Sequence, residues 1–144
     1  MSRASERAWN NFVLLSDPSA LEIGNDKRAA ALASLFLSGA NNGGLNSFLT
    51  ASFEYDAGEV QAALSSIGAL KAAHQLGEVL GRLGSPLSPA TQDLRWAELD
   101  RCWAEELDQY DVLSEEADDE LMQALAQHVS ANEAYYLELG GPAD

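Results

Sequence analysis

The amino-acid sequence predicts an all-α protein, a compact multi-helix domain of about six to seven helices covering residues 1–144. Three observations carry this reading. Apolar residues recur every three to four positions through most of the chain, as in Trp96, Leu99, Trp103, Leu107 and Tyr110. No stretch of roughly four to eight residues alternates apolar and polar positions with β-branched enrichment, the pattern of a half-buried strand. Residues that cap or break helices then punctuate the apolar runs.

A first helix is predicted from about Ser5 to Leu15, with Trp9, Phe12, Val13 and Leu15 close to one face. Asp17 before Pro18 reads as an N-cap with proline at the first helical position, so a short turn or helix precedes Gly24. Asn25 or Asp26 caps a helix from Lys27 to about Ala40. Asn41, Asn42, Gly43 and Gly44 end it, because Asn and Gly tolerate the left-handed conformation at a helix C-terminus. Leu45, Phe48 and Leu49 resume helical spacing at once, so Asn42, Gly43 and Gly44 make a helix-to-helix turn. Asp56 and Glu59 form a capping box that opens a helix through Val60, Leu64 and Ile67. Gly68 stops or bends that helix and permits close packing, with Ile67 beside it in the core. The next helix carries Leu70, Leu76, Val79, Leu80 and Leu83, and Gly84 to Pro89 is the clearest loop. A long helix from about Ala90 to Tyr110 follows, its apolar stripe including Trp96 and Trp103 as core residues. The final helix starts after Ser114 and places Leu121, Leu125, Val129 and Tyr136 on one side.

Composition narrows the function classes. Of 144 residues 47% are apolar, enough for a packed core, while 23 acids against 8 Lys and Arg leave a formal charge of −15. Such a polyanion is repelled by anionic lipid and by nucleic acid, which argues against membrane binding and direct nucleic-acid binding. The longest apolar stretch, around Ala29 to Leu37, is far shorter than the ~20 residues of a membrane span. A lone Cys102 forms no internal disulfide and no signal peptide is read at the N-terminus, so a reducing cytoplasm is expected.

The charge is uneven. Residues 1–101 hold 11 acids and all 8 bases, whereas residues 102–144 hold 12 acids and no Lys or Arg. The candidate partner-binding surface is the run Asp93, Glu98, Asp100, Glu105, Glu106, Asp108, Asp111, Glu115, Glu116, Asp118, Asp119 and Glu120, read as displayed to solvent. A charge run is most often a solvated face, and Glu115 to Glu120 suit the positive end of a helix dipole. Two or three acids serve that purpose, and the excess asks for a partner. Duplex DNA offers about one charge per 1.7 Å, a single acidic helix about one per 5.4 Å, so neighbouring acidic helices or a dimer are needed to approach it.

The segments NNGGLNSF (Asn41–Phe48) and ALSSIGALKAAHQL (Ala63–Leu76) resemble a bacterial DNA-mimic protein family, all-α, with an Asn-Gly-Gly and a downstream Ile-Gly-Ala. The resemblance covers roughly residues 27–140; its structural motif here is Asn42, Gly43, Gly44, Phe48, Ile67 and Gly68. Leu45 stands where the family usually has an aromatic residue, and Phe48 keeps the second one. The resemblance implies a helical fold, a homodimer and an acidic surface that occupies the DNA-binding face of a basic protein such as a transcription factor.

Catalytic and metal signatures are not found. His74 and Glu78 are helical neighbours, but His128 has no Glu three residues before it, so the di-metal bundle pattern fails; no metal and no cofactor are expected. Cys102 reads as a half-buried thiol. Neither a Ser, His and Asp signature nor a phosphate-binding glycine loop appears, so no enzyme is expected. Besides the DNA mimic, an immunity-type or antitoxin-like inhibitor of a basic toxin and an acidic helical scaffold remain open.

Overall fold

The computed structural model describes residues 2–141; Asp144, one of the C-terminal acids, lies outside the described residues. Seven α-helices and two 3-10 segments make up the fold, and no strand occurs among the described residues. Helix α1 (Arg3–Leu15) is followed by a 3-10 turn, Pro18–Ala20, and the long helix α2 (Asp26–Ala51). Then come α3 (Ala57–Ser66), α4 (Leu70–Leu83) and α5 (Gln92–Cys102). A second 3-10 segment, Glu105–Tyr110, leads to α6 (Glu115–Ala131) and α7 (Glu133–Leu139).

The local start signals act as the sequence implies. Asp17 accepts from the Ser19 amide at 3.0 Å, and Asn25 from the Lys27 amide at 2.8 Å. Asp56 accepts from the Glu59 amide at 3.1 Å, and Ser114 from the Ala117 amide at 3.2 Å. The other half of the capping box is redirected. Glu59 does not turn back but pairs with Arg28, its two oxygens 2.6 and 2.8 Å from the guanidinium.

Helix α2 is the centre of the packing, set against α3, α5 and α6, while α1 lies on α7 and α4 on α6. Phe36 and Phe48 meet edge to face across it, 5.0 Å between centroids. Phe12 of α1 meets Tyr136 of α7 in the same way at 5.2 Å. The Tyr136 hydroxyl lies 2.7 Å from His128 Nε2, and burial holds the His128 imidazole below its ordinary pKa. The buried side of α1 is Ala8 and Phe12; Val13 and Leu15, expected on that face, are half exposed. Leu70 is likewise turned outward.

Arg95 joins four parts of the chain. Its side chain is fully buried, and Nη1 donates to the Leu49 carbonyl at 2.7 Å. Nη2 reaches the carbonyls of Tyr55, Leu87 and Ser88 at 2.9, 3.0 and 3.1 Å, and that of Phe53 at 3.4 Å. The guanidinium thereby ties together carbonyls at the C-terminal end of α2, in the turn to α3 and in the loop before α5. That loop, residues 84–89, is held tightly: Leu87 is buried with φ +47°, and its carbonyl also accepts from Ala57.

Several sequence expectations are corrected. The helix predicted from Ala90 to Tyr110 is broken, because Trp103 leaves the helical conformation at φ −73°, ψ 113°. The break lets Leu107 reach the core from a 3-10 segment packed on α4, whereas α5 packs on α2. Trp96 is then no core residue, being 59% exposed. The last helix is also divided, at Asn132, so Tyr136 belongs to α7. The helix-to-helix turn expected at Asn41 to Gly44 narrows to Gly44 alone, which at φ +92°, ψ 177° separates two helical halves of α2, while Asn41, Asn42 and Gly43 stay helical. Gly68 stops α3 through a positive φ of 93° rather than by close packing, since an added Cβ would meet nothing within 4 Å, and Ile67 is half buried.

Candidate functional site

The kink at Gly44 organises the acidic segment. A residue in that backbone region interrupts the helical ladder, leaving the amides after it in need of acceptors, and the conformation is essentially restricted to glycine. Asp111 supplies both acceptors. Its carbonyl takes the Leu45 amide at 2.7 Å and its Oδ1 takes the Asn46 amide at 2.8 Å, so a distant carboxylate caps the second half of α2. Nothing larger than glycine fits beneath it: a Cβ on Gly44 would meet Asp111 Cγ at 2.7 Å and the Asp111 carbonyl oxygen at 2.9 Å.

Three further acids connect to the same scaffold. Asp118 accepts from Asn41 Nδ2 at 3.0 Å. Glu120 accepts from the Lys71 amide at 2.7 Å, serving the N-terminus of α4, whose own cap position, Ala69, has no side-chain acceptor. Glu116 lies 3.2 Å from Lys71 Nζ, an exposed pair of little energetic weight. Gln75 of α4 completes the attachment, donating to the Tyr110 and Val112 carbonyls and accepting from the Ser114 amide.

The twelve nominated acids therefore fall into two groups. Glu98, Asp111, Asp118 and Glu120 are half buried, contrary to the expectation that all are displayed. Glu98 accepts from the Ser85 hydroxyl, and exposed Asp108 accepts from Trp103 Nε1 at 2.9 Å. Asp93, Asp100, Glu105, Glu106, Glu115 and Asp119 are exposed, and among the described residues their carboxylates make no hydrogen bond. Residues 41–46 of α2 touch acids from three directions: Asp118 on α6, Asp111 before it, and Asp100 on α5, which shares a cleft with Asn46. Three of the acids are thus gathered around the kink from different elements.

Of the structural motif, Phe48 is core and Gly44 makes the kink, while Asn42 and Gly43 are exposed on the helix before it. The roles of Asp111 and Glu120 were missed from the sequence because their amide partners lie 65 and 49 residues away. His74 Nε2 lies 3.6 Å from Glu78 Oε1, and no group of three or more His, Cys, Asp or Glu able to hold a metal occurs among the described residues. No helix among them is long and apolar enough to cross a membrane.

Substitutions separate the two groups of acids. Asp111→Ala leaves the Asn46 amide unpaired, which costs about 1–3 kcal/mol, and Gly44→Ala costs a similar amount through backbone strain. The double variant is expected to cost less than the sum, because the Cβ at position 44 then loses part of its clash. Glu115→Gln and Asp119→Asn should stay within about 0.5 kcal/mol of the parent. Urea unfolding of the five variants beside the parent reads these differences; equal stability of Asp111→Ala and the parent would remove the capping role.

The family model described as DMP19-like protein matches residues 22–138 of the chain. No curated protein and no solved structure matches it.

Proposed function

The chain belongs to the DMP19-like protein family, and from that membership and its acidic surface we propose that it is a DNA mimic, an inhibitor that occupies the DNA-binding face of a basic protein such as a transcription factor. One observation carries the proposal: six carboxylates between Asp93 and Asp119 stand exposed with no hydrogen bond among the described residues. In residues 93–120 there are 12 acids against Arg95 and Arg101. Arg95 is buried, so little positive charge reaches the same surface. A basic DNA-binding face offers the cations these carboxylates lack, and the charge both steers encounter and excludes duplex DNA from the occupied site. No chemistry is asked of the protein; binding alone blocks the partner.

Size argues for two copies. About 30 Å of duplex carries roughly 18 phosphates, and the net charge of −10 in residues 93–120 supplies about half of that. A two-fold homodimer doubles the charge and matches the symmetry of partners that read paired half-sites. The seam we assign to the α1 and α7 side, where Leu14 is 78% exposed and Val13, Leu15 and Leu139 are partly exposed. No nominated acid lies there, so the acidic faces remain free.

Two experiments test these statements. In the first, a basic protein captured from a cell lysate is loaded with a fluorescent duplex. The protein should release the duplex without binding it, and the variant Glu105→Gln, Glu106→Gln, Glu115→Gln, Asp119→Asn should associate at least about tenfold more slowly while melting normally. A captured partner that binds no DNA would replace mimicry with inhibition of a basic toxin. In the second, light scattering should give twice the chain mass, and Leu14→Glu with Leu15→Glu should halve it; a parent protein that stays monomeric while it inhibits would remove the dimer.

A further inference from the structure

The divided helix leaves a small cleft next to the kink, lined by Asn46, Trp96, Leu99, Asp100 and Trp103 and enclosing about 180 Å³. That is too small for a helix or a drug-sized ligand, whose pockets run to ~300–1,000 Å³, and suits one long side chain. Leu99 is buried at its floor, whereas Trp96 is 59% exposed. Trp96 and Asp100 lie four residues apart on α5 and Trp103 caps its C-terminal end, so the carboxylate lines the cleft together with both indoles. Trp103 is oriented by its Nε1 bond to Asp108, and the Asn46 carboxamide makes no hydrogen bond among the described residues.

This combination is made for a cation that the chain does not itself supply. Three of its own cations lie over tyrosines: Lys27 over Tyr135 at 5.2 Å, Arg28 over Tyr55 at 5.8 Å and Arg82 over Tyr110 at 4.9 Å. Among the described residues none lies over Trp96 or Trp103, although indole is the strongest aromatic partner for a cation. We propose that the cleft is an arginine-binding site, which receives a guanidinium of the basic partner and fixes its register on the acidic surface. The inference rests on the reading of that surface as the seat of a basic protein. A guanidinium is planar and weakly hydrated, so it stacks on an indole while it donates to the Asp100 carboxylate and the Asn46 carboxamide oxygen. A lysine ammonium, strongly hydrated and without a face to stack, matches the cleft less well. The free carboxylates elsewhere attract cations without selecting one; the cleft selects.

The test needs no partner. N-acetyl-arginine amide is titrated into the full chain while the indole N–H signals are followed by NMR, with N-acetyl-citrulline amide as the neutral isostere. Trp96 and Trp103 should shift saturably with the arginine compound and not with citrulline, while Trp9 on α1 stays still. Trp96→Ala and Asp100→Asn, both at exposed positions, should each weaken the affinity at least about fivefold in a protein whose melting is unchanged. A non-saturating response, an equal response to citrulline, an equal shift of Trp9, or full affinity in Asp100→Asn would each overturn the site. Such a result would leave the acidic-surface reading standing, because the acids replaced in its own test lie outside the cleft.

Discussion

The acidic segment of this protein has a fixed place because Asp111 caps the kink at Gly44. Breaking a helix inside a core exposes backbone amides that cannot be left without acceptors, and here Asp111 provides both its carbonyl and its carboxylate to them. The requirement runs both ways: only glycine adopts the kink's backbone angles, and only glycine lets Asp111 approach so closely. The motif that carries the family resemblance is therefore the docking point of the polyanion. The Gln75 bonds and the buried side chains of Leu107 and Leu113 hold the rest of the stretch from Glu105 to Ser114.

The remaining electrostatics sharpen the surface beyond what composition implies. Arg95 is withdrawn into the interior, where backbone carbonyls rather than carboxylates surround it, and burial lowers its pKa from the usual range. Arg28 is committed to Glu59, and burial together with that pair removes another cation from the surface. Lys71 answers Glu116, and Arg82 lies between Glu78 and the Tyr110 ring. Four cations are thus engaged by the chain's own groups, while Arg101 beside Asp100 is exposed and six carboxylates face water. A preorganised set of charges loses less freedom on binding than a flexible acidic tail would, which favours a structured mimic over a disordered one.

What the sequence disclosed was whatever is decided within a few residues. The caps at Asp17, Asn25, Asp56 and Ser114 were legible because donor and acceptor sit within three positions of each other. The stops at Gly68 and Gly84 were legible because a positive φ has a residue signature. The break at Trp103 was not, since no Gly or Pro marks it and the apolar stripe runs straight through to Tyr110. It arises from packing: α5 and the 3-10 segment serve different neighbours, α2 and α4. The burial of Arg95 was hidden for the same reason, its acceptors being strewn from Leu49 to Ser88. At the candidate site the excess of acid was legible, but its division into capping and free carboxylates was not, and the exposure of Trp96 follows only from the broken helix.

The salt dependence of the complex tests the central claim, that this surface stands in for DNA on a basic partner, most directly. The dissociation constants of the partner with this protein and with duplex DNA are measured side by side across a range of salt concentrations. Both should weaken steeply as salt rises, because in each case the same partner cations pair with a dense array of anions that salt screens. A complex with this protein that is indifferent to salt, beside a steeply dependent complex with the duplex, would contradict the account.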